Sequence, residues 1–334
     1  MTSDFVRVTN EGRVGRILLD RPAALNALDL AMIRDLRAAV DALAARPQVH
    51  AIVIAGAGGR AFCAGGDIRA IRNHAMAGEM DAVRAFFAEE YALNAAIAAC
   101  PMPFVALIDG ICMGGGIGVS VHGAIRVATE AAAFAMPETA IGFFPDIGAS
   151  FFLPRLPGAL GLYLGLTGTR LVGADAVHAG LATHFVPREK LAALDARLAR
   201  DGVACVAEFA APLPPFSLAP RRDAIDRCFG QESVPDILAS LAAEDTDWAR
   251  ETLATLAGRS PASMLWSHRL IRAGADRTLG QCLAAELALS LRVTRHPDFA
   301  EGVRAMVVDK DRKPAWKHAR VDDVPPDEID AVFA

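Results

Sequence analysis

The chain has 334 residues, 53% of them hydrophobic, and a formal net charge of -5 at pH 7. That length and apolar content supply the core of one large domain, or of a large domain with a smaller one attached, and exclude a disordered chain. The mild acidity, with no basic stripe, argues against a nucleic-acid partner, and no window reaches the roughly 18 uncharged apolar residues that a membrane span needs.

In chain order, FVRVTNEGRVGRILLDRP reads as two strands about an Asn10-Glu11-Gly12 turn. Asp29 is placed to cap a helix whose apolar positions Met32, Ile33, Leu36, Val40 and Leu43 share one face. AIVIAG follows as a buried strand, then the loop AGGRAFCAGGDIRA, a helical region over 80–99 and a second buried strand, FVALIDG. The next loop holds the glycine run MGGGIG, and AIRVATE and AAFAMPE are short strand candidates. Strands alternating with helices are the α/β pattern. Near residue 210 the proline-dense APLPPFSLAP breaks regular structure. Amphipathic helices then follow over 220–229, 234–243, 247–257, 261–273 and 279–294. Two parts are therefore expected: a core over 1–210 and a helical region over 211–334.

The six cysteines, Cys63, Cys100, Cys112, Cys205, Cys228 and Cys282, are dispersed, with no C-x-x-C pair and no histidines at ligand spacing. Neither a metal site nor a disulfide framework is indicated, and a reducing cytoplasm is the expected location. The opening MTSDFVRVTN runs directly into strand-like alternation, without the character of a signal or transit peptide.

Two glycine loops, CAGGD (63–67) and MGGGIG (113–118), each follow a buried strand and each lead toward a helix. Glycine lets backbone approach a ligand closely, and two facing loops of this kind can present a pair of N–H donors to developing negative charge. Their spacing fits neither G-x-G-x-x-G nor a Walker A loop, so nucleotide binding by those routes is not expected. Further on, AMPETAIGFFPDIGAS (135–150) sets Glu138 and Asp146 among Ala, Met, Pro, Ile, Phe and Gly. An acid in such surroundings needs a structural partner, as a cap or turn residue has, or a chemical task.

GRAFCAGGDIRAI, GICMGGGIGVSVHGAIRVATE, FAMPETAIGFFPDIGASFFLPRL and DFAEGVRAMVVDKDRKPAW together resemble the enoyl-CoA hydratase/isomerase (crotonase) superfamily, and within it the branch that hydrolyses 3-hydroxyisobutyryl-CoA. The resemblance covers nearly the whole chain. It implies an α/β core of repeated ββα units forming a spiral of two sheets, with the helical C-terminal region attached. It further implies an oxyanion hole made by the backbone N–H groups of Gly66 and Gly115. Crotonase-type hydratases work with two glutamates; here the first is replaced by Gly118 and the second is matched by Glu138, while Asp146 appears as it does in the hydrolase pattern. The implied reaction is cleavage of a short 3-hydroxyacyl-CoA, 3-hydroxyisobutyryl-CoA of valine breakdown foremost, with Glu138 as nucleophile or general base and Asp146 near the acyl chain. Glu90 matches a further substrate-binding position. Arg21, Arg69, Lys310 and Lys313 are candidates for the CoA phosphates, against the default of solvated surface charge. Asp67 is expected to cap the helix that begins at Ile68, and Cys63 and Cys112 to be packing residues. Ser120 and His122, two apart on a helix, point to different faces and do not form a nucleophile–base pair. No cofactor is implied beyond the CoA of the substrate, and the only expected assembly is a homo-oligomer. Two rival readings are a hydratase or isomerase on another short acyl-CoA and a non-catalytic acyl-CoA-binding protein.

Overall fold

The computed structural model describes residues 4–334; the first three residues of the opening segment lie outside the described residues. Strand β1 (Val6–Glu11) pairs antiparallel with β2 (Val14–Leu19), Glu11 opposite Val14. The turn is therefore Gly12-Arg13, with Gly12 at φ +60°, one step later than the sequence suggested. Glu11 pairs with Val14 as the last residue of β1, and glycine supplies the positive φ that a tight hairpin needs. Helix α1 (Leu30–Ala44) starts where Asp29 accepts the Met32 N–H at 2.9 Å, and it buries Met32, Ile33, Leu36, Val40 and Leu43 as expected.

The remaining elements before residue 136 are β3 (Ala51–Gly56), β4 (Ala61–Cys63), α2 (Ile68–Met76), α3 (Met80–Ala98), β5 (Phe104–Ile108), β6 (Ile111–Met113), α4 (Gly115–Val121), β7 (Ile125–Ala128) and β8 (Ala133–Ala135). Two short strands follow, β9 (Leu171–Val172) and β10 (His184–Phe185). The strands form a six-stranded sheet in the order β1-β2-β3-β5-β7-β10 and a four-stranded sheet in the order β4-β6-β8-β9. Each successive strand pair from β3 to β8 gives its first member to the larger sheet and its second to the smaller one. This is the repeated ββα spiral. Inside each sheet the pairing is parallel except for β1 with β2 and β8 with β9. Parallel strands are covered on both faces, which is why AIVIAG and FVALI read as unbroken apolar runs.

By compactness the chain divides into two units. The first comprises residues 4–67, Glu89–Ala135 and Arg170–Ser217 and contains both sheets. Its core includes Val14, Val53, Val105, Leu107, Val127, Leu194 and Leu198. The second comprises Ile68–Ala88, Met136–Thr169 and Leu218–Ala334 and is helical. Its long helices are Arg222–Phe229, Val234–Ala243, Asp247–Ala257, Pro261–Ala273 and Leu279–Val293. Most of their starts are written in the sequence: Ser233, Thr246, Ser260 and Thr278 each accept a backbone N–H three residues on, and Thr278 forms a capping box with Gln281. Among the described residues no helix is long and apolar enough to cross a membrane.

Candidate active site

In the first unit, the loop after β4 is fixed on one side by Leu28. The Leu28 N–H donates to the Gly65 carbonyl and the Asp67 N–H to the Leu28 carbonyl, both at 2.8 Å. In a one-residue parallel bridge of this kind the flanking groups face the partner, so the N–H of the intervening Gly66 faces the opposite way. Gly65, at φ +106°, makes this path possible; a Cβ there would also lie 3.1 Å from the Met113 carbonyl oxygen. Gly115 opens α4 after Gly114, and the first N–H groups of a helix have no intrahelical acceptor. A Cβ on Gly115 would fall 3.2 Å from the Gly66 nitrogen and 2.4 Å from Glu90 Oε1. Gly66, Gly115 and Glu90 therefore converge on one spot.

Glu90 is 2% exposed, whereas its neighbour Glu89 turns outward. Glu89 takes a bidentate pair of hydrogen bonds from Arg34, both at 2.7 Å, which hold its carboxyl below the ordinary range. The structure thus separates two adjacent acids into a surface ion pair and a buried group beside the glycine loops. Burial pushes the Cys63 thiol up to about 12, with the charge of Glu90 adding to the shift. Cys112 is raised by burial as well. Both thiols stay protonated at neutral pH, as packing residues would. Ser120 hydrogen-bonds back to the Gly116 and Ile117 carbonyls, the local bonding of a helical serine.

In the second unit, Glu138 begins a short turn of 3₁₀ helix, Glu138–Ile141, directly after Pro137, and is 6% exposed. The turn is anchored throughout. The Ser260 N–H donates to the Thr139 carbonyl at 3.2 Å, Thr139 Oγ1 donates to the Leu166 carbonyl at 3.0 Å, and the Ser263 hydroxyl bonds the Phe143 carbonyl. Gly142 closes the turn at φ +64°, where a Cβ would meet the Asp298 carbonyl oxygen at 2.3 Å. Phe143 stacks on Phe144 and Phe87 at ring separations of 4.4 and 5.5 Å and also touches Phe299. Two of the apolar residues that follow Glu138, Phe143 and Phe144, are thus part of an aromatic cluster.

Asp146, also 6% exposed, precedes two left-handed residues, Ile147 at φ +56° and Gly148 at φ +83°. Behind them lies Glu286, on the buried face of helix Leu279–Val293. It accepts the Gly148 N–H at 2.6 Å, the Ser150 N–H at 3.0 Å and the Ser150 hydroxyl at 2.6 Å. Sequence reasoning did not single out Glu286. A signal was available, because Cys282, Leu283, Leu289 and Val293 put position 286 on the apolar face at helical spacing.

The four basic candidates lie in different settings. Arg21, in the first unit, donates to the Ala27 carbonyl at 3.0 Å and to Asp67 Oδ2 at 3.3 Å, bracing the loop that holds Gly66. Arg69 donates to the Val307 carbonyl at 2.9 Å, at the start of the tail. Lys310 and Lys313 point from the surface, while the acids between and beside them, Asp309 and Asp311, are bound by Arg304 at 2.7 Å. Trp316 donates to the Gly258 carbonyl at 3.3 Å and so is tied to its own unit.

The Enoyl-CoA hydratase/isomerase family model matches residues 14–333. The chain belongs to this family. Among curated relatives, 3-hydroxyisobutyryl-CoA hydrolase, mitochondrial, of Xenopus laevis is 46% identical over 98% of this chain and 88% of its own length. The human protein of the same name is 44% identical over 99% of this chain and 89% of its own. Among solved structures, a carnitinyl-CoA dehydratase from Mycobacterium thermoresistibile superimposes with a TM-score of 0.95 at 39% identity, covering 99% of this chain and 97% of that one. The family fold is the one described above. The relatives' mitochondrial names overturn the expectation of a cytoplasmic location. All six cysteines are free.

Proposed function

We propose that this chain hydrolyses 3-hydroxyisobutyryl-CoA to 3-hydroxyisobutyrate and CoA, the thioester cleavage of valine breakdown. Identity of 44% and 46%, over nearly the whole of this chain, to relatives named for that activity carries the reading. Gly118 in place of the first hydratase glutamate supports it, because conjugate addition of water needs paired acid–base help that this chain lacks at that point. The name of the structural relative, a carnitinyl-CoA dehydratase, favours a hydratase reading, which the same assay separates.

In the proposed reaction the Gly66 and Gly115 amides receive the thioester carbonyl oxygen as it gains charge. Glu138 then acts in one of two ways. As a nucleophile its carboxylate adds to the carbonyl carbon and expels CoA thiolate, and water cleaves the resulting mixed anhydride. As a general base it takes a proton from the water that adds directly. Either route suits a thiol leaving group with a pKa of about 8.5, which departs near neutral pH with little protonation. Asp146 meets the substrate hydroxyl or positions the water, and Glu90 lines the acyl site. Lys310 and Lys313 are the surface candidates for CoA phosphates. A homo-oligomer is part of the reading, to be measured by light scattering. The deciding experiment follows release of free thiol from a panel of short acyl-CoA esters beside loss of the conjugated thioester of crotonyl-CoA. Thiol release greatest for 3-hydroxyisobutyryl-CoA is expected; consumption of crotonyl-CoA without thiol release would replace this reading with hydration, and neither signal would leave only binding.

A further inference from the structure

The Glu286 carboxyl group spends its bonds on a single short turn. Its two oxygens take the Gly148 N–H, the Ser150 N–H and the Ser150 hydroxyl. The two N–H groups lie at the start of the short helix Ala149–Phe152, where backbone donors have no intrahelical acceptor. The turn has reason to need a holder. Ile147 is β-branched and sits at φ +56°, a conformation that such residues adopt only when their surroundings impose it. Asp146 is the residue immediately before it, and its carbonyl accepts the Ala149 N–H at 2.9 Å within the same turn. The direction of the Asp146 side chain is thus set by a backbone path that Glu286 clasps from behind.

The electrostatics agree with that geometry. Burial pushes the Glu286 carboxyl up to about 8; the bonds from Ser150 and Gly148 oppose the shift, and the charge of Asp146 adds to it. The two carboxyl groups therefore feel one another.

We propose that Glu286 is a positioning residue for Asp146: by clasping Gly148 and Ser150 it holds the strained turn and so fixes the carboxylate that distinguishes a hydroxylated acyl chain from a plain one. The inference rests on the functional reading above and names the residue behind its specificity.

The test compares kcat/KM for 3-hydroxyisobutyryl-CoA and isobutyryl-CoA in the native protein, Glu286→Gln, Ser150→Ala, Asp146→Ala and the double variant Asp146→Ala with Glu286→Gln. Glutamine keeps the volume but turns an NH₂ toward a donor, so at least one of the bonds is lost. The native preference for the hydroxy substrate, expected to exceed about tenfold, should fall in Glu286→Gln to within about threefold of the Asp146→Ala value. Ser150→Ala, which removes only the hydroxyl bond, should keep most of it. The double variant should lose no further preference, because residues acting through one another are not additive. Both substrates slowed alike with the preference preserved, or a further loss in the double variant, would overturn the proposal. Amide hydrogen exchange supplies a readout independent of turnover: Gly148 and Ser150 should exchange at least about tenfold faster in Glu286→Gln while Phe104–Ile108 stays protected. Unchanged exchange at Gly148 and Ser150 refutes the clasp whatever the substrate. Absence of thiol release from 3-hydroxyisobutyryl-CoA by the native protein would instead refute the functional reading, with the clasp still judged by exchange.

Discussion

Adding one carbon at Gly115 tests the oxyanion assignment more sharply than removing a side chain would, because the donors are backbone groups that mutation cannot delete. In Gly115→Ala the new Cβ would lie 2.4 Å from Glu90 Oε1, which must retreat to the ordinary contact range of 3.4–4 Å. The same carbon would lie 3.2 Å from the Gly66 nitrogen. A bound oxyanion must sit about 2.7–3.1 Å from its donors, so the methyl occupies the space beside the Gly66 N–H that the oxygen needs. Loss of one such donor costs about 2.7–4 kcal/mol of transition-state stabilisation, a fall in kcat of about a hundred- to a thousandfold. Stability should move little. The nearest atom that must give way is the far end of the Glu90 side chain, not backbone. The assay is thiol release from 3-hydroxyisobutyryl-CoA under saturating conditions, paired with a thermal melt and with binding of free CoA. A folded variant that binds CoA and turns over within about threefold of the native rate would refute the placement of the oxyanion at these two amides.

Glu138→Gln keeps volume and hydrogen bonding but removes the nucleophile or base, so turnover should fall at least about a hundredfold with acyl-CoA binding retained; most of the activity surviving would sink the assignment. Asp146→Ala should erase most of the preference for 3-hydroxyisobutyryl-CoA over isobutyryl-CoA, about tenfold or about 1.4 kcal/mol; equal losses on the two substrates would make Asp146 a water-positioning group instead. Lys310→Ala with Lys313→Ala should weaken binding of free CoA as measured by calorimetry, more at low than at high salt, and an unchanged affinity would return both lysines to the solvated surface. Burial pushes the Glu328 carboxyl up, but hydrogen bonds from Lys317, His296 and His318 outweigh it and bring it down to about 2. A depressed carboxylate stabilises the fold above its unfolded value of about 4.3 and loses that contribution as pH falls toward 2. The Tm gap between native protein and Glu328→Gln should therefore hold near neutrality and close across that acid window; a gap that stays constant would remove Glu328 from the acid response.

The parts of the fold that depend on neighbours in sequence were legible. Helix starts at Asp29, Ser233, Thr246, Ser260 and Thr278 are local hydrogen-bonding events, and the helices after residue 220 follow from them with apolar spacing. The strands AIVIAG and FVALI announce burial on both faces. The hairpin turn was misplaced by one residue because Asn10, Glu11 and Gly12 together read as a turn, and only the pairing of Glu11 with Val14 decides where it falls. Convergence of Glu90 on the glycine loops was out of reach of local rules: nothing in AEEYALN says which of two adjacent acids turns inward, and the answer comes from Arg34, distant in sequence, which claims Glu89.

The clasp at Asp146 shows the same limit from the other side. A lone glutamate on the apolar face of a helix reads as a mismatch with its periodicity, and a β-branched residue before glycine in FPDIGAS reads as an ordinary turn. Each is costly alone: a buried carboxylate without donors, and a turn with unmet N–H groups and Ile147 in the left-handed region. Together they offset one another in part, since the turn's three donors are partners for the buried carboxyl group. Two local violations that resolve one another across the long sequence separation from 148 to 286 are the mark of a site whose geometry is imposed by the fold. On the proposed reading the acid they hold in place is Asp146, the position at which the resemblance sets the hydrolase pattern apart from that of a hydratase.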